Sequence, residues 1–371
     1  MAEMTKRERV ERAMRLEETD RVPLYDLLLC DAAIEHFSGQ ELPPLAETPE
    51  VRATVDAMTG VAISRMLDAT RSSGFGPLVD SEYTNEYGFR YRTCAREKTS
   101  WIVERPFHDV AGAAEYLKRR TADLLRRAAE IRANPSACRE AHARAFADIQ
   151  ARIGDTVHLL AQQGVGLDDV RVELGLEWFS YLDADDPGLV SEALEAHTEL
   201  NLATCHAIAD VRLSPAVLTY GDIAYKQRLL HSPTWLRREF FPRLKRINDA
   251  WHEHGLLCLF HSDGYLMEVM DDLVATGIDG LNPIETVAGM SLREVRRKYP
   301  GLFLAGGIDM SQLLSNGTPE QVREVCRQAI RDASPGFLMG STTEADNSCR
   351  AENLIAMYEV AHEGVGAADG G

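Results

Sequence analysis

The sequence lacks the signals that mark several large classes of protein. No apolar run approaches the roughly 18 residues that a membrane-spanning helix requires. Neither a P-loop nor a G-x-S-x-G elbow is present, which argues against P-loop nucleotide enzymes and serine hydrolases. The best glycine-rich candidate, residues 164–169 (GVGLDD), ends on an aspartate whose charge would repel a pyrophosphate. Membrane, P-loop and dinucleotide-binding proteins are therefore disfavoured.

Basic residues are scarce relative to acidic ones, with 40 Lys and Arg against 58 Asp and Glu and a net charge of −18. This balance argues against binding to nucleic acid or to an anionic membrane surface. The seven cysteines include no C-x-x-C pair, and their odd number favours reduced thiols. Because the first residues also lack an apolar signal core, we expect a cytoplasmic protein without disulfides.

The second half of the chain contains three short apolar runs that each end on polar residues. Residues 256–260 lead into His261-Ser262-Asp263-Gly264, 278–281 into Asn282-Pro283-Ile284-Glu285, and 302–304 into Gly306-Gly307-Ile308-Asp309. His261 and Glu285 are 24 residues apart, and so are Glu285 and Asp309. This spacing accommodates a buried strand, a loop and a helix, so the polar residues are predicted at strand C-termini. In a (β/α)₈ barrel, catalytic groups lie at that end of the strands.

The rest of the chain continues the alternation of strands and helices. Further strands are predicted at 157–161, 216–220 and 336–339, with helices near 187–210, 233–254, 264–275, 291–298, 319–333 and 351–363. Such alternation favours a parallel sheet. We predict an α/β fold, a (β/α)₈ TIM barrel that forms a single domain over residues 1–371, with the main run of βα units at about 155–363. A doubly wound open sheet is the alternative.

Residues 1–150 are predicted to add a helical and β-hairpin elaboration. Thr5 and Glu8 form a capping box for a helix to Arg15, a first strand follows near Tyr25, and a second helix spans about 49–58. Two helices are expected within 110–153, interrupted at Asn134-Pro135. Alternating residues predict a β-hairpin at 83–107, placed above the barrel as a cover for substrate.

His261 is the leading candidate for chemistry. Strand parity places Leu257, Leu259 and His261 on one face and Cys258 on the other. A buried histidine bonded to a carbonyl is the alternative.

Three aspartates are predicted as further catalytic residues at the same rim, Asp263, Asp309 and Asp222. Each has a structural alternative, because aspartates after strands often cap the next helix. Glu285 is a candidate metal ligand, since a buried carboxylate requires a cation, a metal or a hydrogen-bonded substrate, although a strand-end salt bridge would also satisfy it.

The residue types at this rim suit zinc. His261 and Glu285, with Asp263 or Cys349, would give Zn²⁺ three ligands and an open position, as in catalytic sites. By contrast, His252-Glu253-His254 precedes Gly255 and is predicted to be an exposed helix end. Aromatic residues predicted to contact substrate are Tyr87, Phe89, Trp178 and Tyr220.

At these residues the sequence resembles the uroporphyrinogen decarboxylase superfamily, which includes cobalamin-dependent methyltransferases. The motifs that carry the resemblance are Lys6-Arg7-Glu8-Arg9-Val10, Asp20-Arg21-Val22-Pro23, Tyr220-Gly221-Asp222, His261-Ser262-Asp263-Gly264, Gly306-Gly307-Ile308-Asp309, Asn316-Gly317-Thr318-Pro319-Glu320 and Glu352-Asn353-Leu354. They extend over nearly the whole chain. The resemblance implies a (β/α)₈ barrel, in agreement with the spacing argument.

Two branches of the superfamily fit the sequence less well. Porphyrinogen decarboxylases carry an R-Q-A-G-R segment that holds substrate carboxylates, whereas residues 27–34 (LLLCDAAI) contain no arginine. Methylcobamide:thiol methyltransferases hold zinc with a His-x-Cys pair and a later Cys. This chain has Asp263 at the first of those cysteines and Ser341 at the second.

The remaining resemblance is to enzymes that remove methyl groups from methoxylated or methylated small molecules. It implies a methyltransferase that moves a methyl group from a small methoxylated, aromatic compound to the cobalt of a partner corrinoid protein. The chain has no cobalamin-binding Asp-x-His-x-x-Gly segment of its own. A decarboxylase of a porphyrinogen or another small acid is the alternative, favoured by a basic pocket. A barrel that only binds ligand is a third hypothesis, favoured if His261 is inaccessible. The sequence does not specify the oligomeric state and permits a homodimer.

Overall fold

The computed structural model describes residues 3–71 and 76–363, except for the side chains of residues 161–163. Within them the strands are β1 (Tyr25–Asp26), β2 (Ala69–Thr70), β3 (Glu82–Thr84), β4 (Arg90–Cys94), β5 (Thr99–Glu104), β6 (Val157–His158), β7 (Leu160–Gln163), β8 (Ala216–Tyr220), β9 (Ala224–Tyr225), β10 (Arg228–Leu229), β11 (Leu257–His261), β12 (Gly280–Asn282), β13 (Phe303–Ile308) and β14 (Phe337–Ser341).

The α-helices of the same residues are α1 (Lys6–Met14), α2 (Asp31–Ser38), α3 (Pro49–Met66), α4 (Val110–Ala133), α5 (Pro135–Ile153), α6 (Leu167–Leu174), α7 (Leu176–Asp185), α8 (Pro187–Ile208), α9 (Pro233–Trp235), α10 (Phe241–Glu253), α11 (Met270–Ala275), α12 (Leu292–Lys298), α13 (Pro319–Ala333) and α14 (Ala351–Ala361). Leu236–Phe240 and Met310–Leu314 form π-helical turns, and Thr286–Ala288 forms a 3₁₀ turn.

Eight parallel strand positions form a closed barrel. They follow one another around it in chain order, as β1, β2, β6 continued by β7, β8, β11, β12, β13 and β14. A parallel bridge between Leu24 and Met339 joins the last position to the first, and Met339 N donates to Pro23 O at 2.9 Å. The predicted TIM barrel is therefore confirmed, and the doubly wound alternative is wrong.

Side chains from alternate strand positions fill the barrel interior. This interior cluster comprises Tyr25, Ala69, Val157, Leu159, Ala216, Leu218, Leu259, Phe303, Ala305 and Leu338, together with Val10, Ala13 and Met14 of α1. Thr5 caps α1 by accepting from Glu8 N at 3.2 Å. The amphipathic α1 thus closes one end of the barrel, and the site must lie at the other.

A buried ion network holds α1 in that position. Arg9 is paired at 2.7 Å both with Asp20 and with the fully buried Asp68. Arg21 is also 2.7 Å from Asp68, whose second oxygen accepts from Leu24 N at 2.9 Å. The Asp-Arg-Val-Pro motif at residues 20–23 therefore has a structural role, because it ties α1 to the starts of β1 and β2.

The segment predicted as a hairpin at 83–107 is a three-stranded antiparallel sheet, β3-β4-β5, which we call the lid. Lys98 Nζ lies 2.9 Å from Asp31 at the start of α2, which follows β1. Arg105 Nε donates to Glu173 O at 2.9 Å, in the helix that follows β7. Because both anchors follow barrel strands, the lid lies at the C-terminal end of the barrel.

Several helix predictions need new bounds. The predicted helix at 49–58 continues to Met66, whereas the one at 264–275 begins only at Met270. The break at Asn134-Pro135 is confirmed, because Pro135 begins α5. The structure also shows that β1 and β2 of the barrel lie inside residues 1–150. None of the described helices combines the length and apolarity needed to cross a membrane.

Candidate active site

His261 lies where β11 reaches the open end of the barrel, which we call the mouth. Leu259 belongs to the interior cluster, whereas Cys258 and Phe260 pack outward among the helices. The strand parity predicted from the sequence is therefore correct. The side chain of His261 is 12% exposed, so it reaches the mouth and is not sealed in the core.

Asn282, the register partner of His261 on β12, fixes the orientation and tautomer of the imidazole. Asn282 Nδ2 donates to Ala305 O at 3.2 Å, so its Oδ1 faces His261 Nδ1 at 2.8 Å. An amide oxygen only accepts, which places the proton on Nδ1 and leaves the Nε2 lone pair available. Burial and the charge of Arg71 lower the pKa of His261 to about 4. The imidazole is therefore neutral at ordinary pH.

Asp263 and Asp222 stand beside that imidazole. His261 Nε2 is 3.9 Å from Asp263 Oδ1, and Asp222 Oδ1 accepts from Asp263 N at 3.1 Å. One ligating atom from each of the three side chains lies within 4.8 Å of the other two. We call Asp222, His261 and Asp263 the mouth triad.

Asp263 has the most perturbed carboxyl group of the triad. Burial, with the negative charges of Asp222, Glu285 and Glu344, raises its pKa to about 8, against the opposing effect of Arg71. At neutral pH this carboxyl group therefore holds its proton, which suits a general acid.

The turn after Asp263 depends on a glycine. Gly264 has φ +89°, and a Cβ there would lie 2.7 Å from the Cβ of Ala224. Gly264 N donates to Glu285 Oε2 at 2.6 Å. The structure thus brings Glu285 to the same edge as Asp263, where it holds the turn and adds negative charge.

Asp309 occupies a different role from the predicted catalytic one. Its Oδ1 accepts from Ser311 N at 3.0 Å, and its Oδ2 accepts from Gln312 N and Leu313 N, both at 2.9 Å. These bonds make it the cap of the turn at Met310–Leu314, the alternative that the sequence left open. We leave Asp309 out of the proposed chemistry for this reason.

The side chains that could hold a metal at the mouth differ from the predicted set. Among the described residues, the ligating group around His261 contains Asp222 and Asp263, and neither Glu285 nor Cys349 belongs to it. Cys349 instead lies beside Cys30, whose thiol is 3.6 Å from Cys349 O. Burial, with nearby Asp26, raises the pKa of the Cys349 thiol.

The aromatic predictions divide between the mouth and the core. Tyr220 ends β8 and is the register partner of His261. Phe89 is 1% exposed, and its ring packs edge-on against Phe107 and Tyr116 in a small core between the lid and α4, which we call the lid core, so it cannot line an open pocket. A closed lid core needs such a residue, which explains the error.

The other two predicted aromatics are on the surface side. Tyr87 is 41% exposed, with the guanidinium of Arg120 5.3 Å from its ring. Trp178 is half-buried on α7, and its ring centroid is 6.1 Å from that of Tyr181. Their contact with substrate therefore stays a prediction.

Sequence analysis missed Arg71, which follows β2. Its charge acts on Asp26, His261, Asp263 and Glu344, and its Nη2 donates to Thr343 O at 3.3 Å. The local pattern indicates its position only weakly, because β2 has two residues and begins close behind the long helix α3. The described residues around Asp263 are thus mainly acidic, with Arg71 as a positive charge among them.

Asp26 and Ser341 were also missed as a pair. Ser341 Oγ donates to Asp26 Oδ1 at 2.7 Å and Ser341 N donates to Oδ2 at 2.8 Å. Burial raises the pKa of Asp26 to about 6 despite these bonds. These hydrogen bonds join β1 to β14 where the barrel closes. Ser341 is the residue that the resemblance aligned with a zinc-binding cysteine.

The donor set of the mouth triad is one imidazole nitrogen and two carboxylates. Zn²⁺ takes such ligands at about 2.0–2.2 Å, with three protein ligands and one open position in catalytic sites. The mutual distances within 4.8 Å and the surplus of negative charge around Asp263 fit a divalent cation. The triad therefore supports either proton donation or metal binding.

Comparisons with known proteins agree with this architecture. No curated protein sequence matches the chain. A methyltransferase from Methanosarcina mazei has a similar structure, with a TM-score of 0.68, 17% identity and coverage of 97% of this chain and 98% of that one. A xylose isomerase-like TIM barrel protein from Mycobacterium smegmatis, in complex with magnesium, reaches only 0.36 at 14% identity, over 68% and 89% of the two chains. At such identities the first likeness shows the fold alone, and the second carries no argument.

The family is identified by the sequence of the second half. Residues 176–364, slightly more than half of the chain, match the model of the uroporphyrinogen decarboxylase (URO-D) family. This segment includes all three residues of the mouth triad, His261 at the end of β11 and Asp222 and Asp263 just after β8 and β11. The chain therefore belongs to the uroporphyrinogen decarboxylase (URO-D) family.

Proposed function

We propose that this protein is a methyltransferase that moves a methyl group from a small methoxylated aromatic compound to the cobalt of a partner corrinoid protein. The mouth triad carries the proposal, because it places a protonated carboxyl group beside a neutral imidazole at the open end of the barrel. The fold shared with the methyltransferase from Methanosarcina mazei is consistent with it. Tyr220, the register partner of His261 at the mouth, favours a flat, apolar donor.

The chemistry follows from the leaving group. An ether oxygen leaves poorly as an alkoxide, so its departure is assisted by a proton. As the methyl–oxygen bond breaks, its electron pair stays on oxygen, and Asp263 gives that oxygen its proton. The neutral His261, with its Nε2 3.9 Å from Asp263 Oδ1, adds no positive charge that would ionise the acid. Cobalt(I) on the partner supplies the electron pair that takes the methyl group.

The same triad can assist the oxygen through a metal. Asp222, His261 and Asp263 would hold Zn²⁺, which supplies a Lewis acid for the leaving oxygen. Asp263 would then be ionised, because metal coordination opposes protonation of its ligand. The two modes differ in one measurable respect, since activity without bound metal requires the proton-donor mode.

Arg71 favours a decarboxylase as the second candidate. A guanidinium at the mouth binds a substrate carboxylate in two places, and the family includes decarboxylases. Against this, the described residues place one arginine among Asp26, Asp263 and Glu344, so a substrate with several carboxylates would be repelled.

The test combines the purified protein with a reduced corrinoid protein and a panel of methoxyarenes and methylamines. The change in cobalt absorbance on methylation reports transfer. We expect at least one methoxyarene to methylate the cobalt, and we expect no carbon dioxide. Release of carbon dioxide from a carboxylated substrate, without any methylation by the panel, would establish the decarboxylase instead. Activity of chelator-treated, metal-free protein then distinguishes the two modes of assistance.

A further inference from the structure

The far end of the barrel carries a second group of ligating side chains. α8 and α10 both follow barrel strands, so they end at the face opposite the mouth. There the thiol of Cys205 and the imidazoles of His206 and His254 lie with their ligating atoms all within 4.8 Å of one another. His206 Nδ1 is 3.1 Å from His254 Nε2. We call these three residues the base triad.

Ion pairs along the two helices fix the spacing of their ends. Arg243 Nε lies 3.0 Å from Glu195 Oε2, while Arg246 lies 2.6 Å from Glu195 Oε1 and from Glu199 Oε1. These contacts run parallel along α8 and α10 and precede the base triad. The histidines therefore meet at the end of a braced helix pair and not on independent loops.

The backbone also holds His254 in place. It follows the last residue of α10, and its N–H donates to Trp251 O at 3.1 Å. Gly255 then takes φ +78°, the left-handed conformation that ends the helix and turns the chain into β11. His206 lies in the last turn of α8, beside the buried Cys205.

We propose that the base triad is a metal site for zinc or a similar divalent transition metal, bound by Cys205 Sγ, His206 Nδ1 and His254 Nε2. Zinc takes imidazole nitrogen at about 2.0–2.1 Å and thiolate sulfur at about 2.3 Å, so its tetrahedral ligands lie roughly 3.3–3.6 Å apart. The 3.1 Å between the two imidazole nitrogens needs only a small expansion. Water completes the fourth position. This donor set selects against magnesium and calcium, which take oxygen ligands.

A neighbouring group differs from the base triad in having a carboxylate that already bridges its other two members. His252, Cys258 and Asp279 also lie close together. However, Asp279 Oδ2 already accepts from His252 Nε2 and from Cys258 N, each at 2.7 Å. His252 thus fits the sequence prediction of an exposed helix end. His254 instead contacts the imidazole of His206, which lies 48 residues earlier in the chain.

Bound metal would join the ends of α8 and α10 at the face away from the mouth. It is expected to stabilise the folded barrel, because the unfolded chain does not bring the three ligands together. The proposal is independent of the reaction at the mouth, and its test needs no substrate.

Cobalt(II) added to the full-length, chelator-treated protein is the probe, since a cobalt–thiolate bond gives a charge-transfer absorption band. The mouth triad contains no sulfur, so that band reports only a cysteine site. We expect the wild type and His261→Ala to show the band. We expect His206→Ala and His254→Ala to lose it, because the affinity of each variant for cobalt should be at least ~10-fold lower. Both of these histidines are accessible, so circular dichroism should show that their variants remain folded.

His252→Ala is the matched control and should keep the band. In a His261→Ala background, which removes the mouth ligand, zinc should raise the melting temperature of the protein and of its His252→Ala variant, but not that of its His254→Ala variant. The absence of a thiolate band in the wild type, its persistence in His254→Ala, or its loss in His252→Ala would each overturn the proposal.

Discussion

Replacing Asp263 by Asn should stabilise the protein at alkaline pH, at the expense of activity. The pKa of Asp263 is raised to about 8 in the folded protein, whereas an unfolded aspartate titrates near ~3.9. Between these values the folded chain holds a proton that the unfolded chain has released. Its stability therefore falls as the pH rises through this range. Asparagine cannot ionise, so the variant avoids this loss.

The size of the effect follows from the shift and from the exposure of the side chain. A shift of about four units corresponds to roughly 5–6 kcal/mol at ~1.4 kcal/mol per unit. The Asp263 side chain is 37% exposed, and solvent screening reduces such contributions. We therefore expect the free energy of unfolding of Asp263→Asn, relative to wild type, to increase by about 2 kcal/mol between pH 5 and pH 9.

The assay is urea unfolding of chelator-treated protein at both pH values, because metal binding would favour the ionised carboxylate. Glu285→Gln is the matched control. It removes one of the charges that raise the pKa of Asp263 and keeps an oxygen for Gly264 N, so a smaller gain of the same sign is expected. If the difference in free energy of unfolding between Asp263→Asn and wild type is the same at both pH values, the reasoning is refuted.

Three further predictions concern the barrel and the metal. Asp68→Ala should cost about 3–5 kcal/mol of unfolding free energy, since it removes the ion pair of Arg21 and one of the two ion pairs of the buried Arg9; a loss under ~1 kcal/mol in urea titration would contradict this. Gly340→Ala places a Cβ 1.8 Å from Tyr25 O and should cost more than ~3 kcal/mol; wild-type stability would show that the strands separate easily. In a His254→Ala background, His261→Ala should remove the remaining zinc without changing the circular dichroism, and retained zinc would place it elsewhere.

The positions of His261 and Asp263 could be predicted from sequence because they depend on local rules. Alternation along a buried strand decided which face His261 occupies, and the 24-residue spacing placed the polar tips at one edge. By contrast, β2 pairs through two residues, and nothing in its local pattern distinguishes it from the end of α3. Arg71, which follows it, was missed with it.

The errors at the site share one cause, which is competition between roles for the same residue type. An aspartate after a strand serves equally as a catalytic acid or as a helix cap, and only the three backbone bonds of Asp309 decide. Phe89 and Cys349 likewise have the right chemistry, but tertiary packing places them in the lid core and beside Cys30. Long-range contacts of this kind leave no periodic signal in the sequence.

The central claim, that Asp263 assists the departure of the oxygen, is tested most directly by varying the leaving group. Methyl transfer to cobalt(I) is followed for wild type and Asp263→Asn with a series of methoxyarenes whose product phenols differ in acidity. The account predicts a loss of about 10²-fold or more for the least acidic phenol, and a loss that shrinks towards none as the phenol becomes a better leaving group. An equal loss across the whole series would contradict it, because Asp263 would then act only in holding the site together.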